Sequence, residues 1–74
     1  MANSNEIAAL KASYRGALST AATLQSMQAK VESLDPAGEI GGDTLEDLAR
    51  VSVAHAIASA ALRGLLETMI ARSQ

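Results

Sequence analysis

The chain has no cysteine, tryptophan or phenylalanine, and only one tyrosine, one proline and one histidine in 74 residues. Each absence closes a route. Without cysteine there are no disulfides and almost none of the structural zinc frameworks. The single histidine, His55, removes the remaining common metal sites, so neither a metal nor another cofactor is expected. With Tyr14 as the lone aromatic, a chain that is 49% hydrophobic has few large side chains to bury. Much of that apolar content is alanine, which buries little area at ~25 cal/mol per Å2 but lets helices approach closely. A domain of this size sits where one core supplies only ~3–5 kcal/mol. Association is the stabiliser left to it. The lack of cysteine also fits a reducing compartment.

Basic charge is scarce as well: six Lys and Arg stand against eight Asp and Glu, for a net charge of −2. A nucleic-acid partner calls for a basic face. Lys11, Arg15 and Lys30 form no stripe, so no nucleic acid is expected. The opening MANSNEIAAL has neither a positive segment nor a following apolar block, and predicts no cleavable secretion signal. The apolar run Val51 to Leu62 is too short to span a bilayer, and Arg63 and Glu67 stop it from extending. The expectation is a cytoplasmic protein with no membrane partner, signal-less secretion being the other route.

What is present is helix. Asn3, Ser4 and Asn5 are good N-caps, and Asn3 with Glu6 has capping-box spacing. From there Ile7, Leu10, Tyr14, Leu18, Ala21, Leu24, Met27, Val31 and Leu34 recur in steps of three and four. That pattern predicts an amphipathic helix over about 4–34, ~45 Å long at 1.5 Å per residue. Asp35-Pro36 ends it. Gly38, Gly41 and Gly42 supply a turn over about 35–43, in which Ile40 is expected to tuck over the end of the helix pair. Asp43 is read as the cap of a second helix over about 44–72, with Glu46 at capping-box spacing. Glu46 with Arg50 and Arg63 with Glu67 are helix-supporting pairs. Residues 1–74 make one domain.

The organising stretch is VSVAHAIASAAL, residues 51–62, which is apolar in every helical direction and must be covered all round. Leu48, Val51, His55, Ala58, Leu62, Leu65 and Met69 form a seam fit to pack on the first helix. Ala49, Val53, Ala56 or Ile57, Ala60 and Gly64 form a second stripe of mostly small residues. The expected fold is all-α, a two-helix antiparallel hairpin that associates into a four-helix bundle. Its core would hold Ile7, Leu10, Tyr14, Leu18, Leu24, Val31, Leu48, Leu65 and Met69. Its interface would hold Val51, Val53, His55, Ala56, Ile57, Ala60, Leu62 and Gly64. Gly16 lies level with Arg63 and Gly64 in such a hairpin, which predicts a close crossing there.

Chemistry has little to work with. His55 has no Cys, Asp or Glu one turn away to orient it, as a catalytic histidine needs. It is read as a packed histidine bonded to a hydroxyl such as Ser26 or Ser52, with a pH-sensitive interface as the other role. Glu39, Asp43, Glu46 and Asp47 lack the ligand alternation of a calcium loop. The turn glycines precede no Lys-Ser/Thr pair of a phosphate loop, and no serine sits in a nucleophile elbow. The chain is therefore read as non-enzymatic: a homodimeric regulator, inhibitor or adaptor, of the kind found in bacteria and phages, that binds a protein partner. The Asp35-Pro36 turn and the helix ending LRGLLETMIARS resemble the short needle-forming proteins of type III secretion, hairpins of similar length without signal peptides. Those proteins carry polar and tyrosine residues in mid-helix where this chain has VSVAHAIASAAL. The resemblance implies an alternative, a structural subunit of a helical filament.

Overall fold

The computed structural model describes residues 3–73, all of them in helix or in connections between helices. Two long helices, α1 (Ser4–Ser26) and α3 (Gly42–Ser73), flank a short one, α2 (Gln28–Glu32). The start of α1 is fixed by a reciprocal cap. The Asn3 side chain accepts from the Glu6 N–H at 2.8 Å, and the Glu6 carboxylate accepts from the Asn3 N–H at 3.5 Å. Two of the helix's otherwise unpaired donors are satisfied in this way. The other Glu6 oxygen lies 2.7 Å from the Arg72 guanidinium, with the Glu6 side chain only 14% exposed. The head of α1 is thereby tied to the tail of α3. Midway along, Thr20 meets His55. The long helices thus lie side by side and run in opposite directions. The result is a rod of 54 × 17 × 16 Å with a radius of gyration of 16.9 Å, against about 11 Å for a compact domain of this length.

The first helix is interrupted at Met27, where the hydropathy pattern had predicted continuity to about residue 34. Hydroxyls explain the break. Thr20, Thr23 and Ser26 all turn back to donate to carbonyls three or four residues earlier. Ser26 takes the Thr23 carbonyl at 2.6 Å. The Met27 N–H, which would have used that carbonyl, bonds Leu24 at 3.1 Å instead. Such back-bonding competes with the helical ladder and bends it.

Beyond α2, Asp35 organises the reversal. Its side chain accepts from the Ala37 N–H at 2.9 Å, and its carbonyl from the Gly38 N–H at 2.9 Å. Proline at the second position of this turn suits its fixed φ. A Cβ at Gly38 would come within 3.3 Å of the Asp35 Cβ, so glycine fits the tight close. Ile40 does not cover the end of the pair and is 42% exposed. The carbonyl of Gly41 accepts from the N–H groups of Thr44 and Leu45. That makes Gly41 the cap of α3 and places Asp43 one residue inside the helix, where its charge still favours the positive end. Arg50 pairs with Asp47 at 2.6 Å, not with Glu46, while Arg63 lies 3.7 Å from Glu67.

Half-buried positions define the contact between the long helices. On α3 they include Leu48, Val51, His55, Ala58, Leu62, Leu65 and Met69. On α1 and its C-cap they are Glu6, Leu10, Ser13, Ala17, Thr20, Leu24 and Met27, with Ala21 at the margin. Both sets alternate steps of three and four, the 3.5-residue period of helices wound about each other. The α1 seam corrects the expected core. Ile7, Tyr14, Leu18 and Val31 stay 43%, 54%, 52% and 40% exposed. The helix is rotated so that the smaller Ser13, Ala17 and Thr20 face α3, which brings Thr20 to the polar ring of His55. No described residue is fully buried.

Candidate functional site

Midway along the contact a polar constellation centres on His55. Its Nδ1 lies 2.8 Å from the Thr20 hydroxyl, and its Nε2 lies 3.4 Å from the Ser59 hydroxyl one turn further along α3. The Thr20 oxygen is also 3.0 Å from the Ala17 carbonyl and 3.2 Å from that of Gly16. A hydroxyl has one hydrogen to give. When Thr20 gives it to a carbonyl, Nδ1 carries the ring hydrogen and donates to Thr20, leaving Nε2 to accept from Ser59. The partners are thus Thr20 and Ser59, not the expected Ser26 or Ser52. Ser26 is committed to the Thr23 carbonyl.

This arrangement holds the ring between two hydroxyls. Both of its partners are neutral hydroxyls, and general acid–base work needs a group that orients and charges the imidazole. Among the described residues, no three of the His, Asp and Glu side chains gather closely enough to hold a metal ion. The signal that could have found Thr20 was the strict period of α3. Carrying the same alternation through α1 from Leu10 and Leu24 selects Ala17 and Thr20, whereas following the bulkiest residues selects Leu18 and Ala21.

Outside the seam, large apolar side chains are left uncovered. The residues following seam positions Glu6, Ser13 and Thr20 are Ile7, Tyr14 and Ala21, on one flank of α1. The corresponding α3 residues, following Thr44, Val51, Ala58 and Leu65, are Leu45, Ser52, Ser59 and Leu66. In two antiparallel right-handed helices these flanks fall on the same side of the pair. One turn on from them lie Leu18, Ala49, Ala56 and Ile70, on the same side. Six of the ten exposed large hydrophobics occupy this face, from Leu66 at 39% to Ile70 at 56% exposed. The opposite face carries Ala9, Gly16 and Thr23 of α1 and Asp47, Ala54, Ala61 and Thr68 of α3, of which Asp47 is half-buried.

The residues expected at an interface divide between these environments. Val51, His55 and Leu62 are half-buried in the seam within the chain. Ala56 lies on the bulky face. Val53 (58% exposed) and Ala60 point away from α1, and Ile57 (65% exposed) and Gly64 turn toward the small-residue side. Gly16 and Gly64 mark no close crossing of α1 with α3, because a Cβ added at either meets nothing within 4 Å. Both sit beside the seam, not in it.

Charge is distributed along the rod as unevenly as bulk is across it. The end that holds the Glu6–Arg72 bridge carries four cations (Lys11, Arg15, Arg63, Arg72) and two carboxylates (Glu6, Glu67). The turn end carries six carboxylates (Glu32, Asp35, Glu39, Asp43, Glu46, Asp47) and two cations (Lys30, Arg50). Between them, residues 16–29 of the first half and 51–62 of α3 hold no Lys, Arg, Asp or Glu. By length and composition alone, α3 is long and apolar enough to cross a membrane.

Comparison with known protein families, curated proteins and solved structures yields no match. Whatever is concluded about function rests on the surfaces just described.

Proposed function

We propose that this chain is a two-helix hairpin that self-associates, with a homodimeric four-helix bundle as its working form. In this reading it is non-enzymatic and serves as a regulator, inhibitor or adaptor of a protein partner. The observation that carries the proposal is the absence of any fully buried side chain among the described residues, together with ten large hydrophobics at 39–65% exposure. Six of these share one face of the helix pair, and exposed apolar surface gathered in this way marks an interaction site. An isolated helix pair is also too thin to supply the stability of an ordinary domain.

The reading places the protein in the cytoplasm. Arg50, Arg63 and Glu67 confine the uncharged part of α3 to 51–62, short of the ~20 residues that a bilayer crossing needs. The test is molar mass by light scattering over about a hundredfold range of concentration, since association responds to mass action. A plateau at twice the chain mass of 7.6 kDa is the expected result. A monomer at every concentration overturns self-association, and mass rising without a plateau replaces the bundle with a filament. Flotation with liposomes checks the compartment: the protein is expected to stay in the aqueous fraction.

A further inference from the structure

We infer that a second copy of this chain docks on the face bearing Ile7, Tyr14, Leu18, Leu66 and Ile70, and that it docks antiparallel, the turn end of each rod beside the other end of its partner. This rests on the self-association proposed above and adds to it the face and the direction. Two independent observations select them.

The first is bulk against area. The exposed large residues are concentrated on this one side of the pair, and Ala21 and Ser59, which flank the seam there, are already half-buried. The residues flanking the seam on the opposite side of α1, namely Ala9, Gly16 and Thr23, are exposed. A face 54 Å long and 17 Å wide matches the ~800 Å2 that each partner contributes to a standard interface. A two-fold dimer uses the same patch on both copies. On α3 this patch has small residues (Ser52, Ala56, Ser59) at mid-length between Leu45 and Leu66, while on α1 the exposed Leu18 stands beside Ala21 at the same level.

The second is charge. Lys11 and Arg63 are the charged residues on this face, both near the cationic end. If the two rods ran parallel, each cationic end would meet another and the six carboxylates of the turn ends would be brought together. Antiparallel stacking lays α1 on α1 and α3 on α3 about a two-fold axis near Ala21 and Ala56. It moves Lys11 and Arg63 of each copy away from the like-charged pair of the other, to the level of the partner's acidic turn end. Like charges placed together across an interface are strongly disfavoured, so direction follows from the polarity of the rod.

The chain has no cysteine, so single-cysteine variants report direction without a background. Ala56→Cys lies beside the two-fold axis and is expected to form a disulfide-linked dimer under mild oxidation, because a disulfide needs Cα atoms roughly 4.4–6.8 Å apart. An equimolar mixture of Ile7→Cys and Ile70→Cys proteins is expected not to cross-link, since these positions lie at opposite ends of the antiparallel dimer. Cross-linking of the mixture but not of Ala56→Cys shows parallel rods and overturns the direction. A dimer by mass in which neither links shows a different face and overturns the whole inference while leaving self-association standing. A monomer by mass removes both. The parent chain's light-scattering mass, measured beside each variant, separates these outcomes from misfolding, which circular dichroism reads directly.

Discussion

The two long helices meet along one seam but bring different chemistry to it. α3 contributes Leu48, Val51, Leu62, Leu65 and Met69 around a single polar ring. α1 contributes Leu10, Leu24 and Met27 around Ser13, Ala17 and Thr20, and carries Ile7, Tyr14 and Leu18 on its outside. Both helices leave large side chains outside the seam, Leu45, Val53, Ile57, Leu66 and Ile70 on α3 and Ile7, Tyr14 and Leu18 on α1. Only α1 fills the middle of the seam with a run of small ones. A helix that faces its neighbour with its small residues and water with its large ones is incompletely satisfied by that neighbour. The large side chains left outside the seam on both helices are the physical ground for a further contact, and α1 is where that can be tested one side chain at a time.

The largest effect should come from truncating the seam. Leu62→Ala removes a side chain that is half-buried against α1 and is expected to cost about 1–2.5 kcal/mol, roughly half of the ~2–5 measured for fully buried leucines. Leu18→Ala is the matching change on the outer face. In a monomer it should fall within about 0.5 kcal/mol of the parent, as exposed changes usually do. In the dimer inferred above it should approach the cost of Leu62→Ala. Urea melts of both variants at low and high protein concentration measure this. A Leu18→Ala cost that stays near zero at every concentration would show that the outer face of α1 is free.

Next in size is the polar centre. Thr20→Val keeps the shape but leaves His55 Nδ1 without its 2.8 Å partner. The cost of an unmade hydrogen bond at a half-buried site is about 1 kcal/mol. His55→Leu alone leaves the Thr20 hydroxyl with its carbonyl bonds to Ala17 and Gly16, and should cost less. The double variant should recover most of the Thr20→Val loss, because removing both partners strands neither. A double-mutant cycle by thermal unfolding reads the coupling directly. Additive costs would mean that the two side chains do not act as a pair.

This polar centre also shows how far the sequence could be read. The α3 seam is visible as a period because its members are large, with His55 falling into the same alternation. The Asn3–Glu6 cap is visible because its spacing admits one geometry. The phase of α1 is hidden. Its largest apolar residues trace a face about one position away from the contact, and hydrophobicity alone favours that face over Ser13, Ala17 and Thr20. Nor does composition announce the break at Met27. Serine and threonine satisfy carbonyls locally, so a helix rich in them can lose a ladder bond without any Gly or Pro to signal it. Asp47 replaces Glu46 as the partner of Arg50 for a related reason. Positions three and four apart are both neighbours on a helix, and spacing does not choose between them.

The smallest effect bears on the side of the pair that the inference leaves free. Gly64 has no positive φ, and a Cβ there meets nothing within 4 Å. It lies inside a long helix, where glycine is about 1 kcal/mol less favourable than alanine through the backbone entropy it loses on folding. Gly64→Ala should therefore stabilise the protein by roughly 0.5–1 kcal/mol, and Gly16→Ala by a similar amount for the same reasons. Neither change should alter the dimer mass. A raised melting temperature with unchanged mass assigns the small-residue face to solvent. A lowered one means that another backbone comes close to that face in the assembled protein. The contact would then lie on the opposite side from Leu18 and Leu66, where small residues, not large ones, set the approach.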